Sequence, residues 1–436
     1  MNDVVGSGVY LLPAAAAALL GPASVWAVLL AGFAVLLLVL CFAEAASYFA
    51  EPGSGYVYTR EAFGRFVGFE VGWMTWLARI ASVASLSNAF AQALTFLWPA
   101  TGAGVTRALV IAVPLVLFTW INVLGVKYGA RAAVGLTIAK VLPLLFLIAV
   151  GIFAVDWSRL FPVPLPGTDG LGEAALLLLF AYAGFENTAA AAGEFRNPRR
   201  DVPFALLTMI VMVTLLYTLV QLVALGTLSD LAQRVEGAPL ADAAVLLVGA
   251  WAGVLMTVGA AVSIEGNVGN TMLAGPRYLY ALAVDGFGPR ALARVHPRYQ
   301  TPALAIVTQG VLALVLALSG SFVQLAMLSI VARLATYIGT AAAVPVLRRK
   351  HRRAFGTLSP ASERPIPGRT VQEDSFVLPG GPAIPLLAIL LCLVFLASAQ
   401  VENLIAGAVA LALGIVIYLF RRPPEEPAVV ETVEGN

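Results

Sequence analysis
Charge is what this sequence has least of. Asp, Glu, Lys and Arg make up only 11% of its 436 residues, while 60% are hydrophobic. Mean hydropathy is +0.91. A soluble chain of this length cannot hide so much apolar surface in its core, which excludes a water-soluble protein. Cysteine and histidine are almost as scarce, with two of each. Cys41 and Cys392 both lie in apolar runs and serve neither a disulfide framework nor a thiolate cluster. His296 and His351 sit in polar loops and cannot hold a metal unaided, so no metal and no cofactor is expected. No nucleophile–base grouping stands out in the apolar stretches, which argues against an enzyme. No Lys or Arg precedes the first apolar stretch, so it is no ordinary signal peptide. Gly53-Ser54-Gly55 is followed by no Gly-Lys-Ser/Thr and has no strand context, which rejects nucleotide binding. No basic face is interleaved with aromatics, so nucleic acid is not a partner.

What is there is a series of apolar runs long enough to span the ~30 Å of a bilayer core. They place helices near residues 4–20, 25–49, 66–97, 107–125, 131–155, 172–194, 203–228, 241–280, 303–319, 322–347, 382–400 and 403–420, twelve in all. If the first runs from inside to outside, the outer loops hold only Arg107, Arg159 and Arg234 of the 26 basic residues. Arg79, Lys140 and Arg333 lie within helices, and the rest fall on inner segments. That bias expects both termini in the cytoplasm, in a multi-pass protein of the plasma (cytoplasmic) membrane. The formal net charge of +2 is thus a topology signal. Residues 351–381 read as a cytoplasmic loop, and the Pro- and Glu-rich stretch 421–436 as a disordered cytoplasmic tail.

Two interruptions stand out. Gly6-Ser7-Gly8 lies inside the first apolar run, and Phe180-Ala181-Tyr182-Ala183-Gly184-Phe185-Glu186-Asn187 lies in the sixth. In lipid, every broken backbone hydrogen bond must be replaced by protein or ligand, so a broken membrane helix points to a binding site. Helices one and six each open a block of five, roughly 4–155 and 172–350, with 382–420 as two accessory helices. An odd number of spans per block makes the second inverted relative to the first. In that architecture the substrate sits at the midplane between two discontinuous helices.

Several motifs occur in one order along the chain. They are Gly6-Ser7-Gly8-Val9-Tyr10-Leu11-Leu12-Pro13, Phe42-Ala43-Glu44-Ala45, Pro52-Gly53-Ser54-Gly55-Tyr56-Val57-Tyr58 and Glu61-Ala62-Phe63-Gly64. Further on come Gly68-Phe69, Gly72-Trp73, Ala183-Gly184-Phe185-Glu186, Gly193-Glu194-Phe195-Arg196-Asn197-Pro198 and Pro276-Arg277-Tyr278-Leu279-Tyr280. With these, the chain resembles the amino acid–polyamine–organocation (APC) superfamily over nearly its whole length. The resemblance implies an all-α membrane protein with a leucine-transporter-like 5+5 inverted repeat, moving amino acids by alternating access. It implies that the substrate carboxylate meets the backbone N–H groups of Gly6, Ser7 and Gly8. The ammonium meets carbonyls around Ala181, Tyr182, Gly184 and Phe185, with the Phe185 ring as a lid. It also places Lys140 where sodium-coupled relatives of the fold hold a cation. Family members carry a longer apolar segment before the first break, whereas five residues precede Gly6 here, so helix one is truncated. A misplaced start is expected, the alternative being a protein without that gating half-helix.

Ionisable residues within membrane helices are functional candidates by default. Lys140 is expected to replace the coupling ion, its protonation linking transport to the proton gradient; a permanently paired structural lysine is the alternative. Ser263, Gly266, Asn267 and Asn270 share one face of helix eight at i, i+3, i+4, i+7. They either face helix one and Lys140 or act as polar glue worth ~1 kcal/mol per contact. Glu186 gates, relays a proton, or holds the interrupted helix by accepting backbone N–H bonds. Arg79 recognises a carboxylate or, more economically, pairs with a buried acid. Arg333 is the repeat counterpart of Lys140, and Glu44 and Glu70 are candidate partners that sequence cannot assign. The Arg196–Asp201 turn reads as a solvated positive-inside anchor, the alternative being a cytoplasmic gate formed by its interior charge contacts. Proton-coupled uptake is therefore expected, with amino acid exchange or a non-transporting amino-acid receptor as alternatives. No surplus of acids or bases maps to the pocket from sequence, which favours a neutral amino acid. The oligomeric state is open.

Overall fold
The computed structural model describes residues 3–49, 55–125, 130–166, 170–190, 198–356, 376–378 and 380–421. Among these it is helical throughout and contains no strand. In chain order the helices are α1 (Ser7–Leu20), α2 (Ser24–Ser47), α3 (Gly55–Phe63), α4 (Arg65–Ala93) and α5 (Gly104–Leu124). Then come α6 (Ala130–Ala154), α7 (Leu171–Tyr182), α8 (Phe185–Ala190), α9 (Pro198–Thr227) and α10 (Pro239–Val248). The last are α11 (Ala250–Val284), α12 (Ala303–Ser319), α13 (Phe322–Gly356), α14 (Ala383–Ala397) and α15 (Val401–Phe420). Every stretch marked as helical in the sequence falls on one or two of these.

The differences have local causes. The run 241–280 divides at Gly249, whose φ of +99° ends α10 and starts α11. Helix α3 has no counterpart in the sequence reading because it is short and half polar. Its packing comes from Tyr56, Tyr58 and Thr59, which are buried. Arg60 fixes it to the end of α11 through a 2.9 Å ion pair with Asp285. Gly53-Ser54, Arg196-Asn197, most of the 351–381 loop and the tail beyond Arg421 lie outside the described residues.

Burial runs opposite to that of a soluble protein. Helix α1 is buried almost all round from Ser7 to Ala17 and packs along α7. Helix α4 runs between α13 and α11, while α2 lies against α9 and α7. The outer faces are apolar: Leu109, Val113, Val116 and Trp120 on α5, and Ile405, Val409, Val416 and Phe420 on α15, are exposed. Five charged side chains lie inside, with Glu44, Arg79, Lys140, Glu186 and Arg333 all buried. Apolar outside and charged inside is what a bilayer solvent demands. Seven helical stretches among the described residues, from Ser7–Ser47 to Val401–Phe420, are long and apolar enough to cross a membrane. The chain is an integral, multi-pass membrane protein.

Glu44 shows how the bundle tolerates a buried acid. Arg348 of α13 grips it with two parallel bonds, 2.8 Å from Nε and 2.7 Å from Nη2. Tyr48 Oη donates to it at 2.7 Å and the Leu378 N–H at 2.8 Å. Four donors thus tie α2, α13 and the approach to α14 together. Glu70, the other candidate partner, has no hydrogen bond to either carboxylate oxygen among the described residues.

Candidate functional site
The site is built from backbone left over where two helices break. Helix α1 starts at Ser7, and no side chain caps it. The first N–H groups of a helix have no intrahelical partner, so these donors face whatever lies before them. The Ser7 hydroxyl is buried and also has no partner among the described residues. Residues 3–6 continue as turn and bend, and the carbonyls of Asp3, Val4 and Val5 are met one by one from other helices. Asn267 Nδ2 donates to Asp3 O at 3.3 Å, and Tyr217 Oη to Val4 O at 3.0 Å. Lys140 Nζ donates to Val5 O at 2.9 Å and Ser263 Oγ to the same oxygen at 3.2 Å. The Asp3 carboxylate is held by the Asn187 amide at 3.0 Å and by that of Asn270.

Helix α7 ends at Tyr182, Ala183 is extended, and Gly184 turns at φ +115° before α8 begins. A side chain at Gly184 would be strained by that φ and would meet Asp3 O at 2.6 Å. The Gly184 N–H donates to Glu186 Oε2 at 3.0 Å, so Glu186 holds the break. Tyr217 Oη reaches both breaks, lying 2.9 Å from Ala181 O as well as on Val4 O. A hydroxyl has a single proton, so Tyr217 donates to only one of those carbonyls at a time.

Glu186 also anchors a charge cluster. Arg333 of α13 pairs with its Oε1, and Arg79 of α4 lies 3.4 Å from the same oxygen. Arg79 Nη2 donates to Asn187 Oδ1 at 2.6 Å, and Arg333 Nη2 to Ser82 Oγ at 2.9 Å. The pairing expected for Arg79 is therefore present, with Glu186 as the acid. The cluster faces a small cavity, of about 40 Å³, between the two breaks. Gly6, Ser7, Gly8, Ala181, Gly184, Asn267 and Arg79 all line it. Lys140 and Ser263 sit behind it, joined to it through Val5 O, with Asn267 Oδ1 a further 3.2 Å from Lys140 Nζ.

Two side chains beside the α7 break point away from the cavity. Tyr182 Oη donates to Val28 O of α2 at 3.2 Å. The Phe185 ring is buried between Phe42 and Tyr337, at centroid distances of 5.4 and 5.3 Å, so it lies in the core here rather than over the cavity. Gly266 has open space where a Cβ would go, so it serves no close backbone approach. Asp3 and Tyr217 went unrecognised in the sequence. Asp3 could have been found as an acid just before a helix break. Tyr217 gives no signal that separates it from an ordinary core tyrosine.

Gly8 sets how closely the two breaks approach. A Cβ there would lie 2.5 Å from Ala181 Cα, and backbone cannot swing aside. Gly8→Ala is expected to force α1 and α7 apart. The checks are a lower melting temperature in detergent and loss of substrate binding at unchanged expression. A variant as stable and as tightly binding as the wild type overturns the close-approach argument.

Apolar outer faces around buried charges, with two broken helices facing one cavity, define a membrane protein built to bind a small polar ligand within the bilayer. Residues 1–420 match the amino acid permease family, and the chain belongs to it. That is a family of membrane permeases, not enzymes. Among its relatives is the serine/threonine exchanger SteT of Bacillus subtilis, 30% identical over 95% of this chain and 92% of that protein. The branched-chain amino acid permease BcaP of the same organism is 28% identical over 96% of this chain and 90% of its own length. The methylthioribose transporter of B. subtilis is 28% identical over 95% and 89%.

Proposed function
We propose that this protein is a secondary active transporter of amino acids, working by alternating access and driven by proton-coupled uptake. The observation that carries the reading is the buried Ser7 hydroxyl, without a partner among the described residues, at the start of α1 and in the same cavity as the end of α7. A zwitterion fits both ends. Its carboxylate is suited to the Ser7 and Gly8 N–H groups and the positive end of α1. Its ammonium is suited to the carbonyls of the α7 break, and to whichever of Val4 O at the α1 break and Ala181 O at the α7 break lacks the Tyr217 proton. Lys140 supports proton coupling, because it is buried and its ammonium bonds the backbone of the α1 break.

The twelve-span topology belongs to the same proposal. It comprises a first repeat over 4–155, an inverted second repeat over 172–350 and accessory helices over 382–420. Both termini lie in the cytoplasm and the protein resides in the plasma membrane. The matching positions of the two breaks at the head of each block support it. Exchange is the second reading, favoured by the similarity to a serine/threonine exchanger.

Uptake of a labelled amino-acid mixture into proteoliposomes tests the reading. Accumulation is expected to rise severalfold with an inward proton gradient. Exchange of preloaded substrate without accumulation selects the second reading. Saturable binding with neither makes the protein a receptor, and no binding at all removes amino acids as the substrate class.

A further inference from the structure
The cavity is asymmetric in charge, and the asymmetry lies at the end away from the α1 break. Three cations and two anions line it or stand directly behind it: Arg79, Arg333 and Lys140 against Asp3 and Glu186. They divide into two groups. Asn267 accepts from Lys140 on its oxygen and donates its amide to the Asp3 backbone carbonyl, which seats the Asp3 acid on the Lys140 side of the cavity. Glu186 stands alone between two guanidiniums. One positive charge is left without an acid among the described residues. Both arginines line the cavity and are buried, at 2% and 5% exposure, and neither Nε has a hydrogen-bond partner among the described residues. Buried, unbonded N–H groups of a charged side chain are costly and call for an acceptor.

We infer that the transported amino acid carries an anionic side group, a second carboxylate of the aspartate or glutamate kind, which docks on Arg79 and Arg333. The inference rests on the amino-acid reading above and replaces the neutral substrate favoured by sequence alone. With the α-carboxylate at the start of α1, the substrate side chain runs toward α4 and α13, where Arg79, Ser82 and Arg333 face the cavity. A carboxylate accepts two parallel bonds from a guanidinium. A side-chain amide at the same place would set its own N–H groups against donors that cannot accept, so glutamine and asparagine are rejected by the same geometry.

The test is competition binding on the purified full chain in nanodiscs, comparing L-glutamate with L-glutamine, L-aspartate with L-asparagine, and both pairs with L-leucine and L-serine. The acidic member of a pair is expected to bind at least about tenfold more tightly than its amide. Arg79→Gln is expected to erase that ratio and Arg79→Lys to keep part of it. Equal or tighter binding of the amide, or of leucine or serine, overturns the inference and leaves the amino-acid reading standing. A ratio unchanged in an Arg79→Gln protein that still binds glutamine also overturns it. If none of the panel binds the wild type, the amino-acid reading itself fails, and the inference fails with it. The wild-type ratio decides even if Arg79→Gln does not fold.

Discussion
Replacing Lys140 with Ala is expected to abolish proton-driven accumulation while leaving exchange of preloaded substrate measurable. Lys140 is fully buried, and its ammonium donates to Val5 O at 2.9 Å and lies 3.2 Å from Asn267 Oδ1. Val5 immediately precedes the break at which the substrate carboxylate is proposed to dock. The lysine's protonation state therefore acts on the very backbone that holds the substrate. A charge-assisted hydrogen bond is worth ~1.5–3 kcal/mol, which sets the expected fall in gradient-dependent uptake at about tenfold or more. Lys140→Arg separates charge from titration, because a guanidinium keeps its proton at any working pH. That variant is expected to exchange substrate but not to accumulate it. The measurement is initial uptake in proteoliposomes at matched internal substrate, with and without an imposed pH gradient. Full gradient response in either variant ends the proposal that Lys140 carries the coupling proton.

Much of this arrangement could be read from residues alone, and the reason is the solvent. A bilayer forbids unpaired backbone and unpaired charge, so Gly6-Ser7-Gly8, Lys140, Glu186 and Arg333 all announced themselves by being out of place. What could not be read was pairing. Glu44 and Arg348 are 304 positions apart and meet only because α2 and α13 pack together. Arg333 takes Glu186 rather than Glu44 or Glu70 for the same reason. Side-chain direction was equally hidden. Tyr182 and Phe185 flank the break as expected, yet one points to α2 and the other into the core, because helical rotation near Gly184 decides which neighbours face the cavity. The basis of the proposed anionic substrate was hidden on the same ground. Arg79 and Arg333 are 254 positions apart in sequence, and they read as a pocket only once α4 and α13 bring both guanidiniums onto one carboxylate.

Glu186→Ala is expected to be the most destabilising single change in the bundle. It removes the only acid between two buried guanidiniums among the described residues, and the acceptor for the Gly184 N–H at the break. Breaking a buried pair from one side costs about 3–5 kcal/mol, because the charge left behind has no water to return to. Here two charges are left behind, on α4 and α13, and they repel. Glu186→Gln is expected to cost less, since its amide oxygen still accepts from one arginine or from Gly184. The decisive comparison is the double variant Glu186→Gln with Arg333→Gln. Removing the extra cation together with the acid is expected to restore part of the loss, so the two changes are less than additive. Thermal unfolding of the purified variants in one detergent gives all four corners of the cycle. Strict additivity dissolves the cluster as an energetic unit. Recovery in the double variant makes it one, and implies that α4, α8 and α13 are held in register by a single carboxylate. Since that carboxylate also fixes the α7–α8 break, the break and the α4–α13 contact share one anchor.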